Sequence, residues 1–492
     1  MVEQGKIFLG AYDGADQNQK NGEYLWLKYA NRHGLVTGAT GTGKTITLQV
    51  LAESFSSQGV PVFCADVKGD LSGIAKAGTK SEKITQRAND VGLDDMVMQA
   101  SPVVFWDIFG ELGHPIRATI SEMGALLLSR LLNLTAAQEG ALNIAFKIAD
   151  DEGLVLKDLS DLRAMLNYLS QESKDVSARY GNVSKASLGA IQRELLVLET
   201  QGGELFFGEP ALRLADIMRS QIDGRGFVNV LAAEKLMNNP RLYSTFLLWL
   251  MSELFKKLPE IGDPEKPRLV FFFDEAHLLF DNAPKALVDR IEQVVRLIRS
   301  KGVGIYFISQ SPADIPESVL AQLGNRIQHA LRAYTPNEMK AVKIAAQSFR
   351  PNPRFDTFNV ISNLATGEAL VSTLEEKGVP SMVERVVMRP PVSQIGPISL
   401  QERQNLIAQS PVYGQYEQEN HDETTRRRLD QMMQAGEQQQ QQQSRQTQRA
   451  PRASNRQSVG EAAIKSATRS AANALGRTIV RAATQYLKRF FK

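Results

Sequence analysis

Cysteine occurs once in the 492 residues, as Cys64 within the apolar run VPVFCADV. That excludes an intrachain disulfide framework and reads as a small buried side chain, not a reactive thiol. Histidine occurs only five times, with no two at metal-ligand spacing, so a histidine-built metal centre is not expected. Nowhere do eighteen uncharged apolar residues run together, and the opening MVEQGKIFLG lacks a basic segment followed by an apolar one. Neither membrane spanning nor secretion is expected; a cytoplasmic protein is.

What is present is ordinary globular sequence, 43% hydrophobic, enough for one large core or two moderate ones. The net charge of +3 conceals an asymmetry. Residues 444–492 hold 11 Lys or Arg against one Glu, a net +10, and the residues before them carry −7. Basic tails of this kind meet nucleic acid, an anionic membrane or an acidic partner.

HGLVTGATGTGKT reads as a buried strand, a glycine-rich turn and a helix, followed by strands in VPVFCADVKGD and MVMQASPVVFWDI. From residue 122 to 202 apolar residues recur at spacings of three and four without strand-like runs, which predicts a helical insertion. Strands resume in GFVNVLAA, PRLVFFFDEAH and GIYFISQS, separated by helical patterns, with further strands in NRIQHALRAY and GEALVSTL. Strands alternating with helices, and apolar throughout, predict an α/β fold with a mainly parallel sheet covered on both faces. The predicted divisions are 1–121 and 203–391 for the two parts of the core, 392–431 for an extension of declining order, 432–459 for a Gln-rich disordered linker, and 460–492 for a basic amphipathic helix. In that last segment Ile464, Leu475, Ile479 and Phe490 fall in one helical sector and Arg477, Arg481 and Lys488 in another. Its partner is left among an anionic membrane, DNA phosphates and a neighbouring subunit.

The chemistry centres on GATGTGKT, residues Gly38, Ala39, Thr40, Gly41, Thr42, Gly43, Lys44 and Thr45. The pattern G-x-x-x-x-G-K-[ST] between a strand and a helix cradles nucleotide phosphates: glycines turn backbone N–H groups inward, Lys44 neutralises the β and γ oxygens, and the Thr45 hydroxyl ligates Mg²⁺. In LVFFFDEAH a run of apolar residues delivers Asp274 and Glu275 to a strand's C-terminal edge, where open α/β sheets bind ligands. Asp274 is the expected Mg²⁺ ligand and Glu275 the base that polarises the attacking water. Gln310, ending GIYFISQS, is a candidate γ-phosphate sensor, or a glutamine satisfied by backbone. Asp66 and Lys68 end another strand of the same α/β pattern, as part of the site or as simple turn chemistry.

GATGTGKT, DVKGD, the long helical insert, FFFDEAH and ISQSPADIP together resemble the HerA/FtsK superfamily of ring-forming DNA-pumping ATPases, more narrowly HerA-like helicase C-terminal-domain proteins, over about residues 20–390. The resemblance implies a RecA-like P-loop NTPase core of ASCE type, ATP with Mg²⁺, a homo-oligomeric ring, most simply a hexamer, DNA as substrate and a nuclease as further partner, while a membrane-surface partner is the expectation of the basic C-terminal helix. HerA carries an N-terminal β-barrel, whereas fewer than forty residues precede Gly38 here, so no role of that barrel is expected. DEAH also names RNA helicases, but their SAT and QRxGRxGR motifs are absent, as is the LSGGQ signature of ABC ATPases; roughly 230 residues between Lys44 and Asp274 disfavour AAA+. His277 reads as a packing residue. A ring motor also needs a cation from the neighbouring subunit. Arg326, and after it Arg332, are the candidates, read as flanking a strand near the sheet's far edge, with an ordinary salt bridge as the alternative for each. A nucleotide-gated scaffold that recruits a partner is the competing reading of the whole chain.

Overall fold

The computed structural model describes residues 5–14, 20–280, 285–420 and 423–449. Contacts divide the chain into Met1–Asp430 and Gln431–Lys492. In chain order the strands are β1 (Lys6–Asp13), β2 (Lys20–Trp26), β3 (Gly34–Thr37), β4 (Val62–Asp66), β5 (Val103–Asp107), β6 (His114–Pro115), β7 (Val228–Ala232), β8 (Leu269–Phe273), β9 (Val303–Ser309), β10 (Asn325–Gln328), β11 (Glu368–Ser372) and β12 (Glu384–Met388). They form a 12-stranded sheet in the order β2-β1-β12-β11-β10-β3-β9-β8-β4-β7-β5-β6.

From β10 to β6 every pairing is parallel, and from β10 outward through β11, β12, β1 and β2 every pairing is antiparallel. The parallel strands β3, β4, β7, β8 and β9 are buried at every residue, which is why they read as unbroken apolar runs. In the register Thr37 pairs with both Ser309 and Gln328, so β3, β9 and β10 end in line at one edge. β9 separates β3 from β8.

Helix α1 (Lys44–Ser57) leaves the end of β3 and lies across the sheet. Leu48, Leu51, Ala52 and Phe55 are buried, and the Phe55 ring meets Phe272 at 6.2 Å and Tyr306 at 5.9 Å. Full burial of a side chain of this size contributes about 1.5–3 kcal/mol, so α1 and the phosphate loop it begins are fixed by the core. Between β6 and β7 run the helices Ile120–Leu131, Ala136–Asp151, Leu159–Gln171, Ser173–Tyr180 and Lys185–Thr200. The first two open on capping boxes, Thr119 with Glu122 and Thr135 with Gln138. Leu142, Leu162, Leu166, Ile191 and Leu195 bury their side chains in this all-helical region.

Two expectations are corrected. Residues 392–416 are packed onto the core: Val392 and Ser393 donate their backbone N–H groups to the buried carboxylate of Glu53 on α1, and Tyr416 is buried edge-on against Trp106 with its hydroxyl on Asp216 at 2.6 Å. The partners of this strap lie in elements hundreds of residues earlier, so no local pattern announces it. The linker expected from residue 432 is entered by a helix, Thr424–Arg449, which runs through the Gln tract. Gln, Met, Glu and Arg all rank close to Ala in helix propensity, so a tract too polar to form a core can still be helical. The amphipathic segment expected at 460–492 lies outside the described residues. Among the described residues no helix is long and apolar enough to cross a membrane.

Candidate nucleotide site

The phosphate loop is built so that its backbone, not its side chains, lines the turn. A Cβ on Gly38 would stand 2.5 Å from the Cβ of His329, so only glycine lets the loop close against β10. Gly43, at φ 119°, starts α1 from a conformation other residues rarely adopt. Ala39 N–H donates to Ala330 O at 2.8 Å and Gly367 N–H to Thr42 O at 3.1 Å, which ties the loop to its neighbours.

His329 is a brace the sequence reading missed. Its Nδ1 lies 2.9 Å from Glu368 O and its Nε2 2.9 Å from Thr47 Oγ1. A carbonyl can only accept, so Nδ1 carries the proton and Nε2 receives the Thr47 hydroxyl. Burial pushes the His329 pKa down to about 4, which keeps this arrangement neutral.

Lys44 is buried, and its ammonium donates to Gly38 O at 2.6 Å and Ala39 O at 3.1 Å, inside its own loop. Burial, then the nearby Lys68, lowers its pKa, so an anion in the loop would be welcomed on electrostatic grounds. Thr45 is half-buried at the start of α1. A cleft of about 270 Å³ opens over these residues, lined also by Lys68, Asp70, Thr366 and Ile395.

At the end of β8, Asp274 and Glu275 are both buried. Glu275 adopts φ 47°, ψ 51°, a left-handed conformation costly for a residue with a side chain and concentrated at functional sites. Its Oε1 pairs with Lys68 Nζ at 2.7 Å; its Oε2 is buried without a hydrogen-bond partner among the described residues, 3.4 Å from His277 Nδ1. Burial pushes the Glu275 carboxyl up, but the Lys68 hydrogen bond and charge, with His277 and Lys44, hold it below its ordinary value. Asp274 goes the other way: burial first, then the charge of Glu275, raises it to about 6. Adjacent carboxyls pushed apart in this way suit two roles, one a ready base and one needing a cation. Asp66 accepts from Gly69 N–H at 2.8 Å and Leu71 N–H at 3.1 Å, shaping the turn that presents Lys68. Burial and Asp70 raise its pKa to about 7. The pairing of Lys68 with Glu275 is thus the resolved form of a choice that DVKGD alone leaves open.

Gln310 is exposed just past the end of β9. Beside it Asp314 Oδ2 accepts from Ser309 Oγ at 2.5 Å and Ser311 N–H at 2.9 Å, and its charge reaches Lys44. Arg326 is not near the far edge of the sheet: β10 is flanked by β3 and β11, with three more strands beyond. Four antiparallel strands, two of them from the first thirty residues, extend the sheet past it. Its guanidinium donates to Leu323 O at 3.1 Å, Ser348 O at 2.7 Å and Leu320 O at 3.2 Å, so it is committed to carbonyls of its own chain. Arg332 likewise donates to Ser362 O and Leu364 O.

Residues 12–489 match the family described as Helicase HerA-like C-terminal. The chain belongs to the HerA-like helicase C-terminal family. A curated relative, Probable helicase MJECL08 of Methanocaldococcus jannaschii, is 31% identical over 154 residues, which is 29% of this chain and 28% of that protein. The chain therefore matches less than a third of that relative's length. Among solved structures, VirB4 of Thermoanaerobacter pseudethanolicus aligns over 78% of this chain and 97% of its own at 14% identity and a TM-score of 0.49. The plasmid coupling protein TrwB in complex with a non-hydrolysable ATP analogue aligns over 80% of this chain and 96% of its own at 16% identity and a TM-score of 0.47. Within the HerA-like family frame, the residues brought to one edge here are Lys44, Lys68, Asp274, Glu275 and Asp314.

Proposed function

We propose that this chain hydrolyses MgATP at the edge formed by β3, β8 and β9, and that it does so as a ring motor moving on or remodelling DNA. The observation that carries the reading is the convergence of a glycine-closed loop with Lys44 and a strand-end acid pair, Asp274 and Glu275, of opposite pKa displacement. The loop amides and Lys44 hold the phosphates, with the ammonium exchanging Gly38 O and Ala39 O for phosphate oxygens. Mg²⁺ fits the residues present: the carboxylate of Asp274, raised by burial and then by the charge of Glu275, gains from a cation, and the Thr45 hydroxyl stands at the start of α1. When bound, Mg²⁺ neutralises charge on the phosphate oxygens.

Glu275 takes the proton as the water oxygen bonds to the γ-phosphorus and the bond to the ADP oxygen breaks. Its Oε2, without a hydrogen-bond partner among the described residues, is the oxygen placed to receive that proton, while the ion pair holds Oε1 on Lys68. That pair also favours the second reading, a nucleotide-gated scaffold with slow turnover. Gln310 aligns the water or senses the γ-phosphate. A hexamer would let a cation from the next subunit complete the site. Arg326 can serve there only by giving up three carbonyl bonds.

Steady-state phosphate release with and without duplex DNA, on samples whose mass is measured in the presence of ATP, separates the readings. The motor reading expects hexamers and stimulation by DNA that fades as salt rises, because backbone phosphates provide the contacts. Equal, slow rates with and without DNA, or a monomer under these conditions, would favour the scaffold.

A further inference from the structure

We propose that residues 394–396 form the base-and-sugar end of the nucleotide cleft, with Ile395 as the apolar surface on which the nucleobase lies; this rests on the nucleotide reading above. The cleft is lined by charged residues, Lys44, Lys68 and Asp70, and also by Ile46, Ile395 and Gly396. The strap is anchored to α1 at a defined distance from the phosphate loop. Gln49 donates to Ser393 Oγ and to Gln394 O, both at 2.8 Å, and it lies five residues after Lys44. At about 1.5 Å per helical residue, that crossing is about 7–8 Å along α1 from Lys44, and Gln49 and Ile395 both line the cleft.

The strap is also rigid. The buried Glu53 carboxylate accepts from Val392 N–H, Ser393 N–H and Ser393 Oγ, and pairs with Arg389. Gln394 N–H donates to Lys76 O at 2.8 Å and Ile398 N–H to Ser72 Oγ at 3.2 Å. Gly396 O lies so close to Gly73 that a Cβ there would be 2.2 Å from it. On this fixed backbone Ile395 keeps 49% of its surface exposed, while Ser393 two residues earlier keeps 1%. An apolar side chain held out over a cleft by a locked backbone is preorganised for a flat apolar ligand group, since little entropy is lost when that group arrives.

The test compares the full chain with Ile395→Ser and Ile395→Met, measuring dissociation constants for MgATP and for magnesium tripolyphosphate, which has the phosphates and no base. Ile395→Ser should weaken MgATP about tenfold, the scale of losing one apolar contact surface, and leave tripolyphosphate unchanged, while Ile395→Met stays close to the parent. Unchanged MgATP affinity in Ile395→Ser would overturn the assignment, as would an equal loss for both ligands. A parent chain that binds neither ligand would overturn the nucleotide reading, and this subsite with it.

Discussion

Glu275→Gln should slow ATP turnover by about a hundredfold or more while leaving MgATP binding near that of the parent, the scale of losing a positioned general base. The substitution keeps the shape of the side chain and removes its charge. Gln cannot accept the proton from water, so the loss falls on the chemical step. Binding is spared because the phosphate contacts come from the loop and Lys44, and because the Gln side-chain oxygen still accepts from Lys68, as Glu275 Oε1 does at 2.7 Å, without the charge. Single-turnover phosphate release together with equilibrium ATP binding gives both quantities. Parental turnover in Glu275→Gln would mean that the catalytic carboxylate is elsewhere.

Lys44→Ala fails differently, by losing nucleotide binding itself. Two charge-assisted hydrogen bonds to phosphate at about 1.5–3 kcal/mol each correspond to two to four orders of magnitude in affinity. The fold should survive, because the ammonium is a buried charge whose bonds among the described residues are to Gly38 O and Ala39 O, carbonyls of a loop tied independently to Ala330 and Gly367. Thermal unfolding shows both at once: MgATP raises the melting temperature of the parent through mass action and leaves that of Lys44→Ala unmoved. A variant that unfolds at the parent's temperature and still shifts with MgATP would contradict the role given to Lys44.

What the sequence made legible was local. GATGTGKT carries its own strand, turn and helix signals, and FFFDEAH carries a buried strand with acids at its end, so both halves of the site and the parallel sheet could be read from short windows. What stayed hidden depends on residues far apart. Lys68 meets Glu275 across more than two hundred positions, Glu53 holds residues 392 and 393 across more than three hundred, and His329 braces Thr47 across 282. No periodicity marks such pairs. Arg326 looked available because LGNRIQHALRAY shows a short strand with a charge at its start; only the four added strands and three carbonyls reveal that it is enclosed. The left-handed backbone of Glu275 is equally invisible in a one-letter code, since the strain comes from how the chain leaves β8.

The central claim, an ATP-driven motor on DNA, is tested most directly by displacement of a third-strand oligonucleotide from a duplex, followed by release of its label. Displacement is expected with MgATP, none with a non-hydrolysable analogue, and none by Glu275→Gln even where that variant binds ATP and DNA. Brisk DNA-stimulated hydrolysis without displacement, or displacement that proceeds equally well in the Glu275→Gln variant, would contradict it.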